Sequence, residues 1–171
     1  GVEEYYELGI FNDDYFPPDS KSRCVGWRAS GKIDTALNED HWRATANDKI
    51  LNYAMLAQYG FPIPETIANY SPTGRRIGNE RVIANPRELR AYLFGELKLP
   101  VFIKPVHGGY GRGTFSLRGI GPDPDTFIDV LGRTVALDEV LSVCQTPENK
   151  GALFQTRLRQ HDAVRALAGE T

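Results

Sequence analysis

The chain has 171 residues, 41% hydrophobic and 25% charged, with a formal net charge of -2. That length supports one substantial core and excludes two large domains. The near-balanced charge leaves no electrostatic footprint for nucleic acid or for an acidic membrane surface. No apolar run approaches the roughly 18 residues of a membrane span and no signal peptide is visible, so a cytoplasmic protein is expected. Cys24 and Cys144 lie far apart without C-x-x-C spacing and read as two buried, reduced thiols. His41, His107 and His161 are scattered, which argues against a His/Cys metal site.

Residues 1–46 read as a mostly helical preface packed on the remainder of the chain. The chain begins at Gly1 rather than Met, which suggests trimming. Val2–Leu8 looks helical, whereas Asn12–Ser20 is rich in turn residues and its consecutive prolines break a helix. Trp27 and Trp42 are expected as large apolar anchors, in the core or between subdomains.

The clearest helical pattern runs from Asn47 to Gly60. Ile50, Tyr53, Ala54 and Ala57 fall at i, i+3, i+4 and i+7, and Asn47 is placed to cap the first turn. Gly60 ends the helix and Phe61-Pro-Ile-Pro64 prevents its continuation. Lys49 opposes the dipole in the first turn. Either it is a surface lysine, at small cost, or it shares an anion with the helix N-terminus.

A strand is expected over Glu65–Tyr70, then a turn at Ser71–Gly74. Asn85-Pro-Arg-Glu88 sets up another helix, with Asn85 as cap, Pro86 first and Glu88 completing a capping box. Leu89 and Leu93 give that helix an apolar face, and Gly95 stops it. Short helices are predicted around Phe127–Leu131 and Asp138–Cys144, a loop over Thr146–Gly151, a strand over Ala152–Leu158 and a helix over His161–Ala168.

One stretch carries chemistry. Val101–Val106 reads as a β-strand with Lys104 in its middle, and Phe115–Ile120 as a second strand. Between them His107-Gly-Gly-Tyr-Gly-Arg-Gly113 holds four glycines in seven residues, more than a two-residue hairpin needs. Side chains alternate, so Lys104 shares a face with Phe102 and Val106. An ammonium on an apolar face is costly unless an anion meets it or the face opens on a cleft. Strand, lysine and glycine loop together suggest a phosphate site. The alternative is an exposed hairpin whose lysine points into water. No Gly-Lys-Ser/Thr follows, and no helix follows the glycines, which excludes a Walker loop and a dinucleotide fingerprint. A glycine loop joining two strands is instead a flap able to close over phosphates. The lysine precedes the glycines, the reverse of the protein-kinase order.

In order, these pieces resemble the front half of an ATP-grasp domain. Asp48-Lys49, opening a helix that ends in Gly60-Phe-Pro-Ile-Pro-Glu65, is similar to the family's Asp-Lys and Gly-x-Pro-x-Pro segments. Val101–Gly113 resembles its lysine strand and flap, and Leu153-Phe-Gln-Thr-Arg-Leu158 its adenine hinge. Arg157–His161 and the Tyr-rich preface are most like the sugar-transfer-associated branch, related to the alpha-L-glutamate ligases. The resemblance covers roughly residues 45 to 171.

It implies an α+β fold: an N-terminal lobe with a small mixed or antiparallel sheet and flanking helices over residues 47–171, behind the helical preface. By position, Lys49 and Lys104 would hold ATP phosphates, with Lys104 also near the adenine. Gly108, Gly109, Gly111 and Gly113 would form the flap, with Arg112 adding charge. Gln155 stands where the family often has a hinge glutamate, and an amide oxygen still accepts from the adenine amino group. Arg157 and Leu158 would contact the adenine edge, and Asp162 the ribose hydroxyls, unless Asp162 is only a helix cap. The magnesium ligands and the Glu-x-Asn pair of the family lie downstream of its hinge, so the chain is expected to be a fragment, inactive alone. The implied parent is an ATP-dependent ligase that activates a carboxylate as an acylphosphate for an amine or other nucleophile, with ATP and magnesium, in surface polysaccharide or sugar metabolism. The alternatives are a non-catalytic nucleotide-binding or scaffold module, and an α+β domain that binds no nucleotide.

Overall fold

Residues 2–168 are described by a computed structural model, and the chain divides into two units, one ending at Ala44 and one beginning at Thr45. The first unit carries α1 (Val2–Glu7), α2 (Pro18–Lys21), α3 (Trp27–Leu37) and a short 3-10 turn at Asp40–Trp42. None of its described side chains is buried. Trp27 and Trp42 are each 65% exposed, so neither is the core anchor that its size suggests. Cys24 is exposed as well, and only Cys144 is a buried thiol. Local polar contacts hold this unit: Lys21 Nζ pairs with Asp13 at 2.5 Å and donates to Phe11 O at 3.0 Å.

After α4 (Arg43–Asn47), the second unit contains α5 (Lys49–Gln58), β1 (Thr66–Tyr70), β2 (Arg81–Ile83) and α6 (Pro86–Gly95). Then come β3 (Val101–Pro105), β4 (Phe115–Ile120), β5 (Thr126–Asp129), β6 (Thr134–Ala136), α7 (Leu137–Gln145), β7 (Ala152–Thr156) and α8 (Asp162–Ala168). The strands form one seven-stranded open sheet in the order β2-β1-β7-β3-β4-β5-β6. Only the β1–β2 pair is parallel, so the fold is α+β with a mostly antiparallel sheet. Among the described residues, no helix is long and apolar enough to cross a membrane.

One face of this sheet is the core. Ala68, Val101, Ile103, Phe115, Leu117, Ala152 and Phe154 pack there with Leu89, Tyr92 and Leu93 of α6 and Leu137, Val140 and Leu141 of α7. The α6 residues fall at i, i+3 and i+4, the spacing that gathers apolar side chains on one helix face. Asn85 caps α6 by accepting from Glu88 N at 3.0 Å, as its sequence predicts. A smaller cluster lies on the opposite face, where Ile50 and Tyr53 of α5 meet Val106, Leu153 and Ile77. Because both faces are covered there, Ala152, Leu153, Phe154 and Gln155 are all buried, and β7 shows no inside-outside alternation.

Two local expectations change, and two short strands are added. Asn47 ends α4, and the cap of α5 is Asp48, whose Oδ1 accepts from Ile50 N and Leu51 N, both at 3.1 Å. Residues 126–129 form β5 rather than a helix. A short apolar run fits either state by periodicity, and pairing with β4 and β6 decides it. The strands β2 and β6, three residues each, are too short to show a period. Loop 147–151 is drawn tightly onto β1: Gly151 has φ +107°, and a Cβ there would lie 2.0 Å from Tyr70 O.

Phe154 is fully buried and stacks edge-on against Tyr92 at 5.3 Å. Phe154→Ala is expected to lower unfolding free energy by about 3–5 kcal/mol in urea titrations. Tyr110, fully exposed, is the control: Tyr110→Ala should move it by less than about 0.5 kcal/mol.

Candidate functional site

Strand register decides which side chains meet on the face opposite the core. Cross-strand partners share a face. Thr66 of β1, Gln155 of β7, Phe102 of β3 and Ser116 of β4 therefore form one row across four strands, and Asn69, Leu153 and Lys104 the next. Regular alternation would put Thr66 on the core side with Ala68. A bulge between them turns Thr66 to the other side, where its Oγ1 accepts from Gln155 Nε2 at 3.0 Å. Gln155, only 1% exposed, is thereby fixed within the sheet.

Beside these rows lies a cleft of about 290 Å³ lined by Pro64, Phe102, Lys104, Ser116, Gln155, Thr156, Arg157, Leu158 and Gln160. Phe102, Pro64 and Leu158 give it apolar walls, Lys104 and Arg157 give it positive charge, and among the described residues no carboxylate lines it. Lys104 is half-buried. Its Nζ is hydrogen-bonded to Tyr53 Oη, and it lies 4.7 Å from the Tyr53 ring centroid and 6.0 Å from that of Phe102. Aromatic faces attract a cation but do not replace the hydrogen bonds that its ammonium makes in water. The arrangement suits a flat, partly apolar ligand with an anionic part.

Lys49 has a different role. Its Nζ donates to Val106 O at 3.2 Å and to Gly108 O at 2.8 Å, tying the start of α5 to the end of β3 and the first glycine. Burial lowers its pKa, the neighbouring Lys104 charge lowers it further, and Asp48 opposes both. The two ammonium groups thus act on one electrostatic neighbourhood, one turned to backbone carbonyls and the other lining the cleft.

Asp48 gathers the surrounding loops. While Oδ1 caps α5, Oδ2 pairs with Arg75 Nη1 at 2.6 Å and with His107 Nε2 at 3.0 Å. Burial works against ionising this carboxyl, but Arg75, the Leu51 N–H and His107 outweigh it and hold its pKa down at about 2. The base of the glycine loop is pinned again from below, where His107 N donates to Asn149 O at 2.9 Å and Val106 N to Gly151 O at 3.0 Å.

Beyond that base the loop is exposed. Gly108, Gly111 and Gly113 take positive φ, as does Tyr110 at +58°. Gly113 also packs closely, since a Cβ there would lie 3.0 Å from Val143 Cγ1. Gly108, Gly109, Gly111, Arg112 and Gly113 do not line the cleft, which gathers Lys104, Gln155, Arg157 and Leu158 from the sequence-derived set. Asp162 begins α8 and pairs with Arg165 at 3.1 Å, with its own side chain 83% exposed and outside the cleft lining.

Several site residues escaped the sequence reading. Tyr53 stands one helical turn after Lys49, so its meeting with the lysine strand follows once α5 is laid on that face. Thr66 depends on the bulge, and Arg75 on the fold of the β1–β2 connection; neither leaves a mark in a single sequence. Among the described residues, no three His, Cys, Asp or Glu side chains gather as a metal site would need. Comparison of the chain with protein-family models, curated proteins and solved structures finds no match in any of the three.

The Asp48 cluster predicts an acid limit to stability. Its folded pKa of about 2 lies below the ordinary value of 3.8, so its contribution is complete above about pH 4 and is lost as pH falls toward 2. Asp48→Asn keeps a capping oxygen but loses the charge, and is expected to cost about 2 kcal/mol at neutral pH. Urea melts of both proteins should converge between about pH 4 and pH 2; a constant gap would remove the ion pairs as its cause.

Proposed function

We propose that the unit beginning at Thr45 binds ATP, as the nucleotide-holding part of an ATP-grasp ligase-like enzyme that activates a carboxylate as an acylphosphate for attack by an amine or another nucleophile. The observation supporting this reading is Lys104: a half-buried mid-strand ammonium, partnered by a phenol and two rings rather than a carboxylate, in a cleft shared with Gln155, Arg157 and Leu158.

Each residue then has a physical task. Phe102, Pro64 and Leu158 offer apolar contact to a purine, and burying both of its faces excludes water from the base. Gln155, donating to Thr66, turns its carbonyl oxygen to the amino group of adenine. Lys104 meets the phosphate tail, where a charge-assisted hydrogen bond is about twice as strong as a neutral one. Bound ATP supplies the phosphoryl group that turns a carboxylate into a mixed anhydride. The glycine loop, fixed at Val106–His107 and exposed beyond, is the segment able to close over the phosphates. Surface polysaccharide or sugar metabolism is the setting that the resemblance suggests.

A second reading, a nucleotide-binding module without catalysis, is favoured by Lys49, two of whose three N–H donors already go to backbone carbonyls. ADP release by the full-length parent protein in the presence of carboxylate acceptors separates the two.

Calorimetric titration of the full chain with a non-hydrolysable ATP analogue should show one saturable site. Lys104→Ala should weaken it about 10- to 100-fold, the loss of a hydrogen bond to a charged group, with the far-UV circular dichroism retained. Equal affinity in the variant removes Lys104 from the site.

A further inference from the structure

We infer that Tyr53 is a positioning residue for the phosphate end of the cleft: its hydroxyl and ring hold the Lys104 ammonium in place, and phenol and ammonium together form a two-donor anion site. This rests on the nucleotide reading for the identity of the ligand, but its geometry is independent of the base.

Tyr53 reaches Lys104 from α5, not from the sheet. It packs against Ile50, Val106 and Leu153, which sets its ring over the strand face that carries Lys104. Its Oη is hydrogen-bonded to Lys104 Nζ, and the ammonium lies 4.7 Å from the centre of its ring. An ammonium has three donors and no acceptor, so in this contact Lys104 donates and the phenol oxygen accepts. The phenol proton is then free to donate, and two N–H groups of Lys104 remain. Those donors sit on adjacent atoms, a spacing suited to an anion with several oxygens. Among the described residues, no aspartate or glutamate lines the cleft to compete for them.

Lys49 sharpens the assignment. Two of its three N–H donors go to Val106 O and Gly108 O, so it holds the loop while Lys104 meets the ligand. With two lysines of like charge in one neighbourhood, a long and flexible Lys104 side chain without Tyr53 would sample many rotamers. The Tyr53 contact reduces the rotamer freedom that binding would otherwise have to remove. The Phe102 ring centre lies 6.0 Å from the same Nζ.

Tyr53→Phe tests this, because it keeps the ring and its packing and removes only the hydroxyl. The full chain and the variant are titrated with three probes: a non-hydrolysable ATP analogue, inorganic tripolyphosphate and adenosine. Affinity for the two phosphate probes is expected to fall about fivefold to tenfold, the worth of one hydrogen bond with its ordering effect, while adenosine binding and the unfolding midpoint stay unchanged. Equal weakening of all three probes would mean that Tyr53 acts only through the fold, and unchanged phosphate binding would mean that its hydroxyl does nothing; either overturns the inference. If the unaltered chain binds tripolyphosphate but not adenosine, and Tyr53→Phe weakens it, the anion site stands and the nucleotide reading falls. Failure of the unaltered chain to bind any probe overturns both.

Discussion

A single buried carboxylate holds the candidate site together. Asp48 is 7% exposed and takes four partners on two oxygens: the first-turn amides of α5, the guanidinium of Arg75 and the ring of His107. These partners come from three different segments. Through them, the helix carrying Tyr53, the connection after β1 and the glycine loop after β3 are referred to one point. A buried ion pair is expensive to desolvate, and breaking it from one side strands the other charge. Such a cluster gives modest net stability but a strong preference for one arrangement of the segments that meet there.

The sheet divides the labour between its faces. On one, α6 and α7 bury an unbroken apolar surface, and Phe154, Ile103, Leu117 and Val140 are fully inaccessible. On the other, α5 covers the Val106 and Leu153 region, and the neighbouring rows of β3, β4 and β7 form the cleft. Lys104 sits at this boundary. Further under α5, its charge would carry the full penalty of burial; further out, it would be a solvated surface lysine with little influence on a ligand. At the edge of the helix, an aromatic ring and a phenol partly replace water while leaving donors available.

Gln155 and the glycine loop are held in two different ways. Gln155 is fixed before any ligand arrives, because a β-bulge presents Thr66 to its amide. Such fixing reduces the ordering cost of recognition. The loop is fixed only at its root, by His107 and Val106, and its tip carries a fully exposed Tyr110 in a left-handed backbone conformation. Root anchoring with an exposed tip lets a segment change position without disturbing the sheet beneath it.

Much of the architecture was written locally. The helix after Asp48, the capped helix at Asn85, the lysine strand and the strand after the glycines each carry their own period, cap or stop signal, and short-range physics is enough to read them. Alternation alone placed Phe102 beside Lys104. Tertiary structure decided the rest. Residues 126–129 became a strand because neighbours paired with them, three-residue strands had no period to display, and the aromatic side chains of Trp27 and Trp42 lie exposed despite their size. The cap of α5 passed from Asn47 to Asp48 because only Asp48 also meets Arg75 and His107, contacts that span up to 59 positions of sequence. Lys49 turned to loop carbonyls, and Lys104 to Tyr53, for the same reason. A sequence states which groups are charged or apolar, but which charge finds which partner depends on segments brought together only by folding.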